Sequence, residues 1–147
     1  MPQNRNPQPL GAAVGKQDKI LIIDDNEDVL STLYQFLSHK HYQVVSATNG
    51  LDALKLFDAE AEGFDLIITD LVMPSISGVA VIAIVKDKQP DIPIIAITGW
   101  GEHPEALATE AKADVVLEKP FELNALEKLI KKLLAKREKT LKTDQQV

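Results

Sequence analysis

The chain contains no cysteine, so it forms neither a disulfide nor a thiolate metal site. That fits a reducing compartment, and the expected location is cytoplasmic. No apolar run reaches the roughly 20 residues that cross a bilayer. The opening stretch MPQNRNPQPLGAAVGKQ lacks the apolar centre of a signal peptide. It is rich in proline, glutamine and asparagine, and residues 1–17 read as a flexible tail. There is no basic surplus either. The formal net charge is −6, which argues against a nucleic-acid surface, because phosphate binding requires a basic patch. His39, His41 and His103 have no metal-ligand spacing and read as surface or loop residues. There is no internal repeat. What remains is ordinary for one globular domain with tails: 147 residues, 45% hydrophobic and 26% charged.

Within that ordinary composition, four hydrophobic runs end in polar residues. KILIIDD ends in Asp24 and Asp25, and FDLIITD in Asp70. IPIIAITG carries Thr98, and ADVVLEKP carries Lys119 before Pro120. If these runs are parallel strands of one sheet, their carboxyl ends lie side by side and the five side chains share one crevice, where open α/β sheets place ligands. Three carboxylates brought together repel unless a cation sits between them. A hard cation with oxygen ligands, a lysine and a hydroxyl together suit the handling of a phosphoryl group.

Helical patterns separate the runs. NEDVLSTLYQFLSHK places Val29, Leu33, Phe36 and Leu37 on one face, with Asn26 or Asp25 as N-cap. YQVVSAT is a second strand. NGLDALKLFDAEA predicts a helix with Leu51, Leu54, and Phe57 or Asp58 along its stripe, closed by Gly63. GVAVIAIV has the β-branched density of a strand. However, parallel neighbours before and after it need a crossover, which is usually a helix. Residues 77–88 are therefore expected to be helical. HPEALATEAKA predicts a short fourth helix with Pro104 near its first turn. ELNALEKLIKKLLAKREK predicts a fifth, with Leu126, Leu129, Ile130, Leu133 and Leu134 as its stripe. Five strands alternating with five helices give a doubly wound α/β class.

At this point the chain resembles the receiver domain of bacterial two-component (phosphorelay) response regulators. The resemblance rests on Asp24-Asp25, on Asp70-Leu71-Val72-Met73-Pro74-Ser75-Ile76-Ser77-Gly78, on Thr98-Gly99 and on Lys119-Pro120-Phe121, in that order at successive strand ends. It covers residues 18–136, leaving 137–147 as a basic and polar extension or linker. It implies a flavodoxin-like sheet of order 2-1-3-4-5. Asp70 is then the nucleophile that takes a phosphoryl group from a histidine kinase or phosphotransfer protein. Asp25 and Asp70, with the backbone carbonyl of Val72, ligate Mg²⁺, and Asp24 assists. Lys119 pairs with Asp70 and then with a phosphoryl oxygen, and Thr98 turns inward to bond the phosphoryl group. The resemblance also implies a cis Lys119–Pro120 bond, and a signalling role rather than an enzyme acting on other substrates. A downstream protein or output domain would read the state. Both a stand-alone receiver and one from a longer regulator or hybrid kinase fit the sequence. Independently of any family, a carboxylate is a weak nucleophile, so a metal and a lysine must neutralise charge on the transferring group.

Singly, these residues have plainer readings: an acidic pair as a helix cap, Asp70 as a turn residue, Thr98 in a loop, Lys119 as a solvated charge. Two rival functions use similar parts. A haloacid dehalogenase-type phosphatase needs a second aspartate two residues after its nucleophile. Asn26 follows Asp24 at that spacing and Val72 follows Asp70, and neither serves as acid or base. A flavodoxin-like FMN module needs a phosphate loop after its first strand, where DDNED would repel phosphate. The chain also departs from the receiver pattern. Val116 stands where an aromatic switch is common, and Lys112 where glycine is common. Ala80, Ala83 and Ile84 stand where the third helix usually presents charges. The resemblance implies that Val72 and Trp100 flank the approach of hydrolytic water, and their apolar bulk then predicts a long-lived phosphorylated form.

Overall fold

In the computed structural model, which describes residues 17–99 and 112–146, the β-branched runs become the strands of one sheet. These are β1 (Lys19–Ile23), β2 (Gln43–Ala47), β3 (Leu66–Asp70), β4 (Ile94–Thr98) and β5 (Val115–Glu118). All pairings are parallel, in the order β2-β1-β3-β4-β5. Every residue of β1, β3 and β4 is buried, as expected of strands covered on both faces. The edge strands β2 and β5 are half-exposed.

The two faces follow the strand alternation. Leu21, Ile23 and Ile67 face one core, with Ala53 and Phe57 of α2 (Gly50–Ala59) and Val81, Ile82 and Val85 of α3 (Gly78–Lys88). Ile20, Ile22 and Ile68 face the other, with Leu30, Leu33 and Leu37 of α1 (Glu27–His39) and Leu126 and Ile130 of α4 (Leu123–Gln146). The doubly wound α/β class and the strand order agree with the sequence reading. Four helices lie among the described residues. The short helix expected over HPEALATEAKA falls outside them, so the expected fifth helix is α4 here. No helix among the described residues is long and apolar enough to cross a membrane.

Connectivity outweighs propensity in α3: GVAVIAIVKDK is a helix, capped by the Ser77 hydroxyl, which accepts from the Ala80 N–H at 3.2 Å. Asn26, not Asp25, caps α1, accepting from the Asp28 and Val29 amides at 2.9 and 3.2 Å. The stripe expected on α2 needs correction. Its buried face is Gly50, Ala53 and Phe57, while Leu51 is 51% exposed. The Phe57 ring stacks on Phe64 with centroids 6.3 Å apart, and that phase turns Leu51 outward. Lys112, where the family commonly has glycine, adopts φ 60°, so the turn before β5 keeps a left-handed residue without one.

α4 continues past residue 136. Arg137 Nη1 donates to the carbonyls of Phe64 and Asp65 at 3.4 and 3.2 Å, and to Asp65 Oδ1 at 3.2 Å. The other carboxylate oxygen of Asp65 accepts from the Lys19 N–H at 2.7 Å. One aspartate thus joins the start of β1, the start of β3 and the last helix. The ion pair is largely buried, with side-chain exposures of 13% for Arg137 and 25% for Asp65. Arg137→Ala should lower the unfolding free energy by about 1–3 kcal/mol, the range for losing a hydrogen bond to a charged group. Urea denaturation measures it, and an unchanged midpoint would show that the anchor contributes nothing.

Candidate functional site

Strand register brings the polar termini together. Ile23 pairs with Thr69, Asp70 with Ile97, and Thr98 with Glu118. The ladder runs on beyond the strands. Asp24 N–H donates to Ala47 O at 3.2 Å, Leu71 N–H to Ile97 O at 3.0 Å, and Lys119 N–H to Thr98 O at 2.8 Å. Backbone bonding therefore fixes the level of every residue in the crevice. The Lys119–Pro120 peptide is cis, as the resemblance implies.

Carboxylate oxygens of Asp24, Asp25 and Asp70 lie within 4.8 Å of one another. Asp24 and Asp70 are buried, and Asp25 is exposed. Asp24 Oδ1 accepts from the Asn26 N–H at 2.9 Å, and Asp70 Oδ1 from the Val72 N–H at 3.2 Å. Lys119 Nζ reaches Asp24 Oδ2 at 3.4 Å and Asp70 Oδ2 at 3.5 Å. The ammonium is thus shared rather than committed to either. Burial opposes its charge, but Asp24 and then Asp70 outweigh burial and hold its pKa above the ordinary lysine value. Thr98 is fully buried, and its Oγ1 has no hydrogen-bond partner among the described residues.

Asp24, Asp25, Asp70 and Lys119 therefore converge, and the strand ladder sets Thr98 at the neighbouring strand end. The cap reading of the acidic pair gives way, since Asn26 holds that position. Val72 stands at the rim, 48% exposed. Val116 packs against the α2–α3 core. Trp100 and His103 lie outside the described residues, whereas His39 and His41 are exposed. Sequence reasoning gave no role to Gly78, yet a Cβ there would overlap the Asp70 carbonyl oxygen and lie 2.7 Å from Leu71 Cα. Only the absence of a side chain lets α3 begin this close to the end of β3. The fixed spacing between Asp70 and Gly78 was the available signal.

The three carboxylates form an oxygen-only donor set, which suits a hard divalent cation, and their proximity is unfavourable without one. Residues 20–131 match the family model for the response regulator receiver domain. The chain belongs to that family. As a receiver it is 34% identical over 122 residues to the response regulator SaeR of Staphylococcus epidermidis, covering 82% of this chain and 52% of that protein. It is 32% identical over 121 residues to the alkaline phosphatase synthesis transcriptional regulatory protein PhoP of Bacillus subtilis, covering 82% and 50%. The chain spans about half the length of these curated relatives. A receiver domain protein from Clostridium thermocellum superposes with a TM-score of 0.77 at 30% identity, covering 84% of this chain and 98% of that one. The response regulator TrrA of Thermotoga maritima, solved in complex with Mg(2+)-BeF, gives 0.72 at 33%, covering 80% and 99%. These matches support a two-component receiver and neither of the two rivals.

Two outcomes follow from the site as it stands. Thr98 buries a hydroxyl without a partner, so the isosteric Thr98→Val should leave the unphosphorylated receiver equally stable, or more stable by up to about 1–3 kcal/mol. A marked loss in chemical denaturation would mean that the hydroxyl is bonded. The raised Lys119 pKa gives stability that is complete below the unfolded-state value and lost only as pH rises through the folded one. The stability difference between parent and Lys119→Met should therefore stay constant from about pH 6 to about pH 9 and shrink above about pH 10. Shrinkage near neutrality would contradict the pairing.

Proposed function

We propose that Asp70 is the phosphoryl acceptor, taking the group from a phosphohistidine on a histidine kinase or phosphotransfer protein. One observation carries this reading. Asp70 ends the middle strand, with the acidic pair of β1 on one side and Thr98 and Lys119 on the other. A phosphoryl group on Asp70 would thus meet a cation-holding edge and a hydrogen-bonding edge at once.

The transfer forms an oxygen–phosphorus bond at Asp70 as the phosphorus–nitrogen bond of the donor breaks. The Val72 amide orients one Asp70 oxygen. Lys119, already shared between Asp24 and Asp70, can turn to a phosphoryl oxygen without leaving the crevice. Asp25, Asp70 and the Val72 carbonyl, assisted by Asp24, would hold Mg²⁺, whose charge would offset that of the transferring group. Thr98 contributes afterwards. Its hydroxyl, unpartnered among the described residues, gains an acceptor when a phosphoryl oxygen arrives, which favours the inward-turned state of the β4 end. With Val116 in place of an aromatic, that response rests on Thr98. The chemistry is confined to the receiver's own phosphorylation and dephosphorylation. The setting is cytoplasmic, where kinases find ATP. The receiver unit runs from residue 18 through Arg137, whose guanidinium bonds the Asp65 backbone and side chain.

Acetyl phosphate with Mg²⁺ should label the parent and leave Asp70→Asn unlabelled. Equal labelling of that variant would overturn the assignment. Mg²⁺ should also raise the melting temperature by mass action, and Asp25→Asn should abolish the rise; a rise of equal size would move the metal elsewhere. Val72→Asn combined with Trp100→Glu should speed phosphate loss by about tenfold, which needs only about 1.4 kcal/mol of barrier. An unchanged half-life would show that these side chains do not obstruct water.

A further inference from the structure

The loop between β3 and α3 carries the Val72 backbone beside Asp70, and close contacts pin it at two points. Gly78 holds its far end against the Asp70 and Leu71 backbone. The second point comes from α2, which supplies none of the site residues. Gly50, the first residue of α2, is buried, and a Cβ there would lie 2.8 Å from Ile76 O, 2.9 Å from Ile76 Cγ2 and 3.0 Å from Ile76 Cβ. Its φ is not in the left-handed region, so space rather than backbone freedom requires the glycine.

The helix cannot easily retreat. The Asn49 side chain accepts from the Asp52 N–H at 2.8 Å and donates to Asp52 Oδ2 at 3.0 Å. Ala53 and Phe57 then lock α2 into the core. The loop has little freedom of its own. Ser75 already adopts φ 68°, and Ser77 is committed to capping α3. A displaced Ile76 therefore shifts the loop rather than the helix. A cleft of about 380 Å³ is lined by Gly50 and Ile76 together with Asp25, Pro74 and Ser75. The contact thus borders the acidic cluster.

We infer that Gly50 is a positioning residue for the acceptor site: by admitting Ile76 against the start of α2, it sets the loop that holds the Val72 backbone beside Asp70. The inference rests on Asp70 being the acceptor. A methyl group on Gly50 would move Ile76 by several tenths of an ångström, and misplacements of that order cost rate steeply in a preorganised site.

The test is Gly50→Ala, with Lys55→Ala, an exposed residue of the same helix, as control. Three quantities are read well below the melting temperature: the rate of Asp70 labelling by acetyl phosphate, the Mg²⁺ concentration at half-saturation by calorimetry, and the metal-free amide resonance of Val72. Gly50→Ala should slow labelling and raise the half-saturation point, each by about tenfold, and shift the Val72 amide. The control should change none of them. Adding Ile76→Ala removes the Cγ2 contact, one of the three close approaches, and should restore part of both losses, which a general weakening of the fold would not do. If Gly50→Ala does not fold, Ile76→Ala alone decides, with a smaller loss in the same direction expected and parent-like values overturning the inference. Parent-like labelling and metal affinity in folded Gly50→Ala overturn it too. A parent that is not labelled on Asp70 overturns the proposed function instead.

Discussion

The structure is organised around a charge conflict held in place by backbone hydrogen bonds. Parallel pairing of β1 with β3 puts Asp24, Asp25 and Asp70 at one level, with carboxylate oxygens inside 4.8 Å of one another. Like charges at that range disfavour ionisation or demand compensation. Part of the compensation is built in: the Lys119 ammonium lies between Asp24 and Asp70, and backbone amides reach both carboxylates. The remainder is what makes the crevice receptive to a cation and, through it, to an anionic phosphoryl group. The backbone beneath these side chains is held in place, because the sheet ladder fixes it and the core on both faces fixes the sheet.

The hydrogen-bonding edge of the site is built the opposite way. Asp70 is surrounded by groups that already interact with it, whereas Thr98 holds a hydroxyl in reserve, fully buried and without a partner among the described residues. A buried hydroxyl left unpaired is costly, so its gain on meeting an acceptor is correspondingly large. Asp70 and Thr98 thus end neighbouring strands, and under the proposed function the negative charge added at one would be read at the other. The rest of the fold supplies rigidity. Asp65 and Arg137 tie β1, β3 and the last helix together at the end of the sheet opposite the site.

Much of this was legible from residue order. Apolar runs ending in Asp, Thr and Lys mark strand ends, and a parallel sheet then leaves those residues one place to meet. GVAVIAIV reads as a strand locally, and only connectivity makes it α3, so the helix follows from the neighbours rather than from itself. The buried face of α2 was misjudged because its leucines looked like the stripe, whereas the phase is set by Ala53 and by Phe57 stacking on Phe64. The Arg137 anchor joins residues 72 apart in sequence, and no local pattern announces a pair at that distance. Lys112 gives no glycine signal for its left-handed turn. The steric need of Gly50 appears only when the neighbouring backbone is in place, whereas that of Gly78 was signalled by its spacing from Asp70 alone.

The chemical identity of the acceptor residue is the point on which everything else turns. An acyl phosphate differs from a phosphoserine or phosphothreonine in being reduced by borohydride, which converts a phosphorylated aspartate to homoserine. The direct measurement is to phosphorylate the protein with acetyl phosphate and Mg²⁺, reduce it, and map the product by peptide mass spectrometry. Homoserine at position 70, and nowhere else, is the result that this account predicts. Homoserine at position 24 or 25 instead, or a label that survives reduction on a hydroxyl residue, would contradict it.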